Sequence, residues 1–307
     1  MAAHGTHNAL DDPRNESVLI SINGELIPRP EAKISVFDSG FLVGDGVWEG
    51  MRVHGGKLAF AEEHFSRLEE AAQAVSLEIG LTRADLAKRV DELLHANHMT
   101  DGVHVRLMIT RGNKKTPSQD PRLALWGPNI VIIAEYKSVD PSTYERGITL
   151  FTSSVRRGSP DYLDPRLNCH SKLHEVIALN QALAAGADEA LMLDLHGFVA
   201  TCNATNFFLV KNGDELWTSS GKYCMNGITR SKVLEVARTH GMATFEKDFS
   251  LYDTYSADEA FVTGTFGGLT PVTAIDRRSI GSGKPPWPVI NQLRGWYDEA
   301  LQASVAP

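Results

Sequence analysis

Apolar and polar positions alternate through the opening segment VLISINGELIPRP, on either side of Asn23-Gly24, a dipeptide suited to the positive φ angles of a two-residue hairpin turn. Two short strands are expected there. After the loop FDSGFLVGDG, the run VWEGMRVHGGKLAFA again predicts strand, Gly-Gly turn and strand. The period then changes. Phe65, Leu68, Ala72 and Val75 recur at helical spacing within AEEHFSRLEEAAQAVSL, and a second amphipathic helix is expected over roughly 82–97. The β-branched runs GVHVRLMITRG and NIVIIAEYK flank the polar loop NKKTPSQDPR and complete what reads as a mixed sheet.

Between 138 and 147 the composition turns to proline and turn formers, which marks a linker. The pattern beyond it predicts a strand at ITLFTSSVRR and the helix SKLHEVIALNQALAAG. The strand pair EALMLDLHGFVA and NFFLVKNGDELWT, the helix TRSKVLEVARTHG, and strands around EAFVTGTF and PVTAID follow. The expectation is an α+β chain of two domains. A small α/β sandwich spans 17–137, and a larger barrel-like β domain with flanking helices spans 148–305. No internal repeat or low-complexity tract interrupts it.

Composition narrows the class. At 307 residues and 42% hydrophobic, the chain can build two cores. A formal charge of -8 with mixed signs supplies no basic stripe for nucleic acid. No run approaches the roughly 18 apolar residues of a membrane span, and the polar start MAAHGTHNALDDPRNES, expected to fray, lacks the regions of a signal peptide. A cytoplasmic protein is expected. Three widely spaced cysteines, Cys169, Cys202 and Cys224, read as reduced thiols, and eleven histidines in no ligand spacing predict no metal.

Eight segments then fall in a telling order: VGDGVWEGMRV, HFSRL, VRLMITRG, GADEALMLDLHGFVA, NATNFFLV, NGITR, ADEAFVTGT and LTPV. Together they resemble the class IV (fold-type IV) pyridoxal-phosphate-dependent aminotransferases, which include branched-chain and D-amino-acid aminotransferases, (R)-amine transaminases and aminodeoxychorismate lyase. The resemblance runs from about Ile20 to Pro288. It implies the fold-type IV architecture, pyridoxal 5'-phosphate as cofactor, an amino donor and a 2-oxo acid acceptor as substrates, and a homodimer in which NKKTPSQDP closes the partner's pocket. Aminodeoxychorismate lyase itself is disfavoured, because its FTTAR-like segment reads WEGMR here.

By the same resemblance, Arg67 takes the place of the phosphate-binding arginine. Ile228 and Thr229 open a helix whose free amides and dipole suit the same anion, and Thr265 adds a hydroxyl. Phe266 and Gly267 stand where two amides bind the substrate α-carboxylate. Val43, Trp48, Arg52 and His104 stand where the family lines its side-chain pocket, His104 in place of a common tyrosine.

Two positions depart from the pattern. Counting back 18 residues from Gly186 and 21 from Glu189, the family's Schiff-base lysine falls on Asn168, whose amide cannot act as the amine nucleophile. The nearest amine is Lys172. Were the helix already begun, residues 168 and 172 would share a face about 6 Å apart, so a relocated Schiff-base lysine is expected at Lys172. Burial among cationic groups would help it lose its proton. In GFVATCNATNFF, Thr201 replaces the glutamate that pairs with the pyridinium nitrogen and can offer only a neutral hydrogen bond. Transamination through Lys172 is the leading expectation. The alternatives are a non-transaminating member of the fold, either a lyase or a cofactor-free enzyme using Cys169, His170, Lys172 and Cys202, and a catalytically inactive small-molecule-binding homologue.

Overall fold

In the computed structural model, residues 5–7 and 9–306 are described; part of the polar start, residues 1–4 and 8, lies outside them. The chain forms two compact units. The first comprises Leu10–Ser138, the short piece Asn168–Ser171 and the residues from Ser304, and the second comprises the residues up to Ala9, Val139–Leu167 and Lys172–Ala303.

The first unit contains β1 (Leu19–Ile22), β2 (Glu25–Pro28), α1 (Ser39–Val43), β3 (Gly46–His54), β4 (Lys57–Leu58), α2 (Ala61–Ala74), α3 (Arg83–Ala96), β5 (Val103–Thr110) and β6 (Asn129–Tyr136). Its six strands lie in the order β2-β1-β6-β5-β3-β4. Every pairing is antiparallel, so the mixed sheet expected from the sequence is corrected. For β1–β2 and β3–β4 the reason is local. Asn23 and Gly24 take φ of 55° and 95°, Gly55 and Gly56 take 54° and 76°, and such turns return the chain antiparallel to itself. Val47, Met51, Val53, Val103, Val105 and Leu107 are all fully buried, and Phe65 and Leu68 of α2 are at most 2% exposed. Each such side chain contributes roughly 1.5–3 kcal/mol by leaving water. Thr82 begins α3 with a capping box to Asp85, which satisfies two first-turn donors.

The second unit continues with α4 (Pro141–Arg146), β7 (Ile148–Thr152), α5 (Leu173–Ala184), β8 (Glu189–Leu193), β9 (Val199–Cys202), β10 (Asn206–Lys211), β11 (Glu215–Thr218), α6 (Ile228–Thr239), β12 (Thr244–Glu246), α7 (Leu251–Tyr255), β13 (Glu259–Gly264), β14 (Gly268–Ile275), β15 (Arg278–Ser279) and α8 (Pro288–Ser304). The main path of its sheet runs β12-β11-β10-β13-β14-β7-β8-β9, with β15 pairing on β14. This sheet is the mixed one: β7 runs parallel to both β14 and β8, and β11 parallel to β12. The sheet curls as a half barrel around a core that includes Ile148, Leu150, Leu191, Phe207, Leu209, Val262 and Val272.

Candidate active site

In the first unit, one side of β3 is an apolar stripe broken by a charge. Val47, Met51 and Val53 face the core, and between them Glu49 is 1% exposed. Its carboxylate accepts from Nε and Nη2 of Arg67, each at 2.7 Å, and lies 2.7 Å from Nδ1 of His64. His64 and Arg67 sit one turn apart on α2. Burial pushes the Glu49 carboxyl up, but the hydrogen bonds and charges of His64 and Arg67 outweigh it and hold the group below its ordinary value. Arg67, the expected phosphate ligand, is thus held side-on by a carboxylate.

The other side of β3 and β5 carries the expected pocket residues. Trp48 lies under the Arg106 guanidinium, 4.0 Å from ring centre to Cζ, which desolvates both without breaking the charge–ring attraction. Arg52 pairs in register with His104, and Gly50 leaves the space His104 occupies, since a Cβ there would meet its ring at 3.2 Å. Val43 closes α1 and is 38% exposed.

The piece 168–171 is stitched to this strand. Trp48 N donates to the carbonyl of Asn168 at 3.0 Å, the Asn168 side-chain amide returns a bond to the Trp48 carbonyl at 2.7 Å, and the Trp48 indole donates to the Cys169 carbonyl at 3.1 Å. A cavity of about 500 Å³ in the same unit is lined by Ile20, Ile22, Phe41, Met108, Val131 and His170, among others. The NKKTPSQDP loop closes on itself: Lys114, 2% exposed, donates to the carbonyls of Ser118 and Asp120 at 2.9 and 3.3 Å.

The second unit holds the remaining candidates. Gly227 caps α6 with no side chain to accept the first-turn amides, and a Cβ there would lie 2.3 Å from Asn206 Oδ1, so a larger residue would have to push that side chain aside. Ile228 and Thr229 therefore begin a twelve-residue helix whose start is buried and suited to an anion. Thr265 is half-buried in the turn after β13. Phe266 follows it, 3% exposed, and the Gly267 carbonyl accepts from the Tyr144 and Thr270 hydroxyls at 2.8 and 3.2 Å.

Thr201 is buried; its hydroxyl donates to the Thr205 carbonyl at 2.8 Å and its oxygen accepts from Asn206 Nδ2 at 3.5 Å. The neighbouring Glu189 carboxylate takes bonds from the Thr6 amide at 2.7 Å, the Thr6 hydroxyl, and the Thr205 hydroxyl at 3.1 Å. Burial nevertheless pushes the Glu189 carboxyl up, against those bonds. Burial also pushes the Cys202 thiol well above its ordinary value, so it is held as the protonated thiol rather than the nucleophilic thiolate.

Lys172 differs from expectation in two ways. The helix begins at Leu173, with Lys172 as its cap residue, so residues 168 and 172 do not share a helical face. Backbone bonds from Asn168–Cys169 to β3 hold that stretch extended, and a helix cannot start until it is released. Nor are its surroundings simply cationic. Nζ of Lys172 lies 3.7 Å from Glu175 Oε1 and its side chain is 31% exposed. Glu175 also accepts from Arg157 Nη1 at 2.7 Å and lies 3.0 Å from His174 Nδ1. An opposite charge at this range favours the charged form of an amine. The sequence reading missed Glu49, His64, Arg157, Glu175 and Glu189. Only Glu49 left a signal, as a carboxylate within an apolar alternation.

Among the described residues, no group of three His, Cys, Asp or Glu is placed to hold a metal, and no helix is long and apolar enough to cross a membrane.

Comparison with known proteins agrees with the resemblance seen in the sequence. The class IV amino-transferase family model matches residues 46–275. Branched-chain-amino-acid aminotransferase-like protein 2 of Arabidopsis thaliana is 38% identical over 97% of this chain; the chain spans about half, 53%, of that protein. A putative branched-chain-amino-acid aminotransferase of Methanocaldococcus jannaschii is 38% identical over 86% of this chain and 90% of its own length. The branched-chain amino acid aminotransferase of Thermobaculum terrenum, solved in its PLP-bound holo-form, superposes with a TM-score of 0.83 at 26% identity, covering 94% of this chain and 95% of that one. Motif order, the α+β two-domain architecture and these matches agree: the chain belongs to the class IV aminotransferases.

Proposed function

We propose that this chain is a pyridoxal-phosphate-dependent aminotransferase that moves an amino group between a small amino acid or amine and a 2-oxo acid, with Lys172 as a relocated Schiff-base lysine. The observation that carries the reading is the class IV match across 46–275. Within the second unit the donors fit a phosphate: the buried start of a twelve-residue helix at Ile228 and Thr229, capped by Gly227, and the hydroxyl of Thr265 in the turn after β13.

The cofactor, when bound, supplies an aldehyde that condenses with amines and a ring that withdraws electrons. The chain's own residues do the rest. Arg67, Ile228, Thr229 and Thr265 would hold the phosphate. The amides of Phe266 and Gly267 orient the substrate carboxylate, while Val43, Trp48, Arg52 and His104 exclude water around its side chain. Lys172 would serve as the general base, holding at its amine the proton taken from the substrate α-carbon. Thr201 presents an oxygen acceptor, a weaker partner for a ring nitrogen than a carboxylate. Glu175 Oε1 lies 3.7 Å from the Lys172 amine and helps to place it.

The protein would work in the cytoplasm as a homodimer. Three buried cysteines outside any disulfide suit a reducing compartment, and Ile34 and Phe41, 40% and 73% exposed beside the first unit's cavity, suit a partner surface. The test is borohydride reduction of the full chain supplied with pyridoxal phosphate, followed by peptide mass measurement. The adduct is expected on Lys172, and keto acid production should fall about 100-fold or more in Lys172→Ala. Wild-type protein that carries no adduct at Lys172 overturns the proposed role.

A further inference from the structure

A carboxylate on the core side of a strand is an expensive choice. Removing a charge from water costs several kcal/mol before its partners offset it, and an apolar residue of similar volume often serves stability as well or better. Glu49 nevertheless interrupts the stripe of Val47, Met51 and Val53, and it is fully engaged there by Arg67 and His64. The grip on Arg67 has a definite geometry. Nε and Nη2 both point at Glu49, so the carboxylate takes the side edge of the planar guanidinium and the end edge, Nη1 with Nη2, is the one directed away from it.

We propose that Glu49 is a positioning residue for the cofactor phosphate: it locks the rotation of the Arg67 guanidinium so that the end edge meets the phosphate, and His64 steadies the carboxylate from α2. The inference rests on the assignment of Arg67 to the phosphate and adds to it the residues that aim it. A carboxylate that only fastened α2 to β3 would stabilise the fold without telling a phosphorylated ligand from an unphosphorylated one.

The test compares binding of pyridoxal phosphate and pyridoxal to the full chain freed of cofactor, by absorbance or fluorescence titration. The ratio of the two affinities reports the phosphate contacts alone, because condensation with the lysine is common to both. Arg67→Met should lower the ratio about 10- to 100-fold, the span of one or two charge-assisted hydrogen bonds. Glu49→Gln should lower it about 10-fold and His64→Gln by less, and neither should lower it further in the Arg67→Met background.

A normal ratio in Glu49→Gln, beside a reduced one in Arg67→Met, overturns the positioning role and leaves Arg67 at the phosphate. A normal ratio in Arg67→Met overturns both. An equal loss of the two affinities in Glu49→Gln assigns Glu49 to the fold alone. Should Glu49→Gln fail to fold, Glu49→Asp and His64→Gln carry the test, since a shortened or unsteadied carboxylate moves the guanidinium without vacating the site; an unchanged ratio in both overturns the proposal.

Discussion

Asn168 and Trp48 exchange two hydrogen bonds, backbone amide to carbonyl at 3.0 Å and side-chain amide to carbonyl at 2.7 Å, and so Asn168 is spent on holding 168–171 against β3. Asn168 is 2% exposed. Replacing it by alanine leaves the Trp48 carbonyl without that donor, which costs about 1–3 kcal/mol. Asn168→Ala should therefore melt several degrees below wild type in a thermal scan. An unchanged melting temperature would show that the side-chain bond does not hold this segment.

Glu175 makes an acid-side prediction. Burial pushes its carboxyl up, but the hydrogen bond of His174 and the charges of Lys172 and Arg157 outweigh it and hold the group down to about 2, from an ordinary 4.5. The folded value is depressed, so its stabilisation is present above pH 4.5 and is lost as pH falls toward 2. Glu175→Gln should cost on the order of 3 kcal/mol at neutral pH, and the difference from wild type should close on acidification. Denaturant titrations across that range decide it; a gap that stays constant with pH contradicts the assignment.

Glu189 should behave in the opposite sense. Its folded carboxyl is raised by burial despite the bonds from Thr6 and Thr205, so the folded chain binds its proton more tightly than the unfolded chain does. Stability is then lost as pH rises from 4.5 through the raised value. In Glu189→Gln that loss is absent, and the variant should gain on wild type as pH rises from 4.5 to the raised value, with a constant gap beyond it. If unfolding free energies of the two run parallel with pH, the carboxyl is not raised.

Much of the architecture was legible because it is decided by neighbours along the chain. Asn23-Gly24 and Gly55-Gly56 form the two hairpin turns because their positive φ values are available to those residues, and Phe65, Leu68 and Ala72 bury one stripe of α2 because 3.6 residues make a turn. The order of the class IV motifs also survives in one dimension, which is why the family was visible before any coordinates. Strand direction was less accessible: the parallel pairings of β7 with β8 and β14 join segments separated by whole helices, and alternation reads the same in either direction.

What the sequence by itself determined was the family, the two Gly-containing hairpins and the helices α2, α3, α5 and α6; α1 fell within an expected loop, α4 within the expected linker, and α7 and α8 were not foreseen. Only the tertiary structure decided the company each candidate keeps. Hydrogen bonds and charge pairing fall off within a few ångströms of space, whatever the distance along the chain. Glu49 meets Arg67 across 18 residues, Asn168 meets Trp48 across 120, and Thr6 meets Glu189 across 183. The cap position of Lys172 followed from the same cause, since the bonds that hold 168–169 to β3 delay the helix until Leu173 and leave an anion, Glu175, beside the amine.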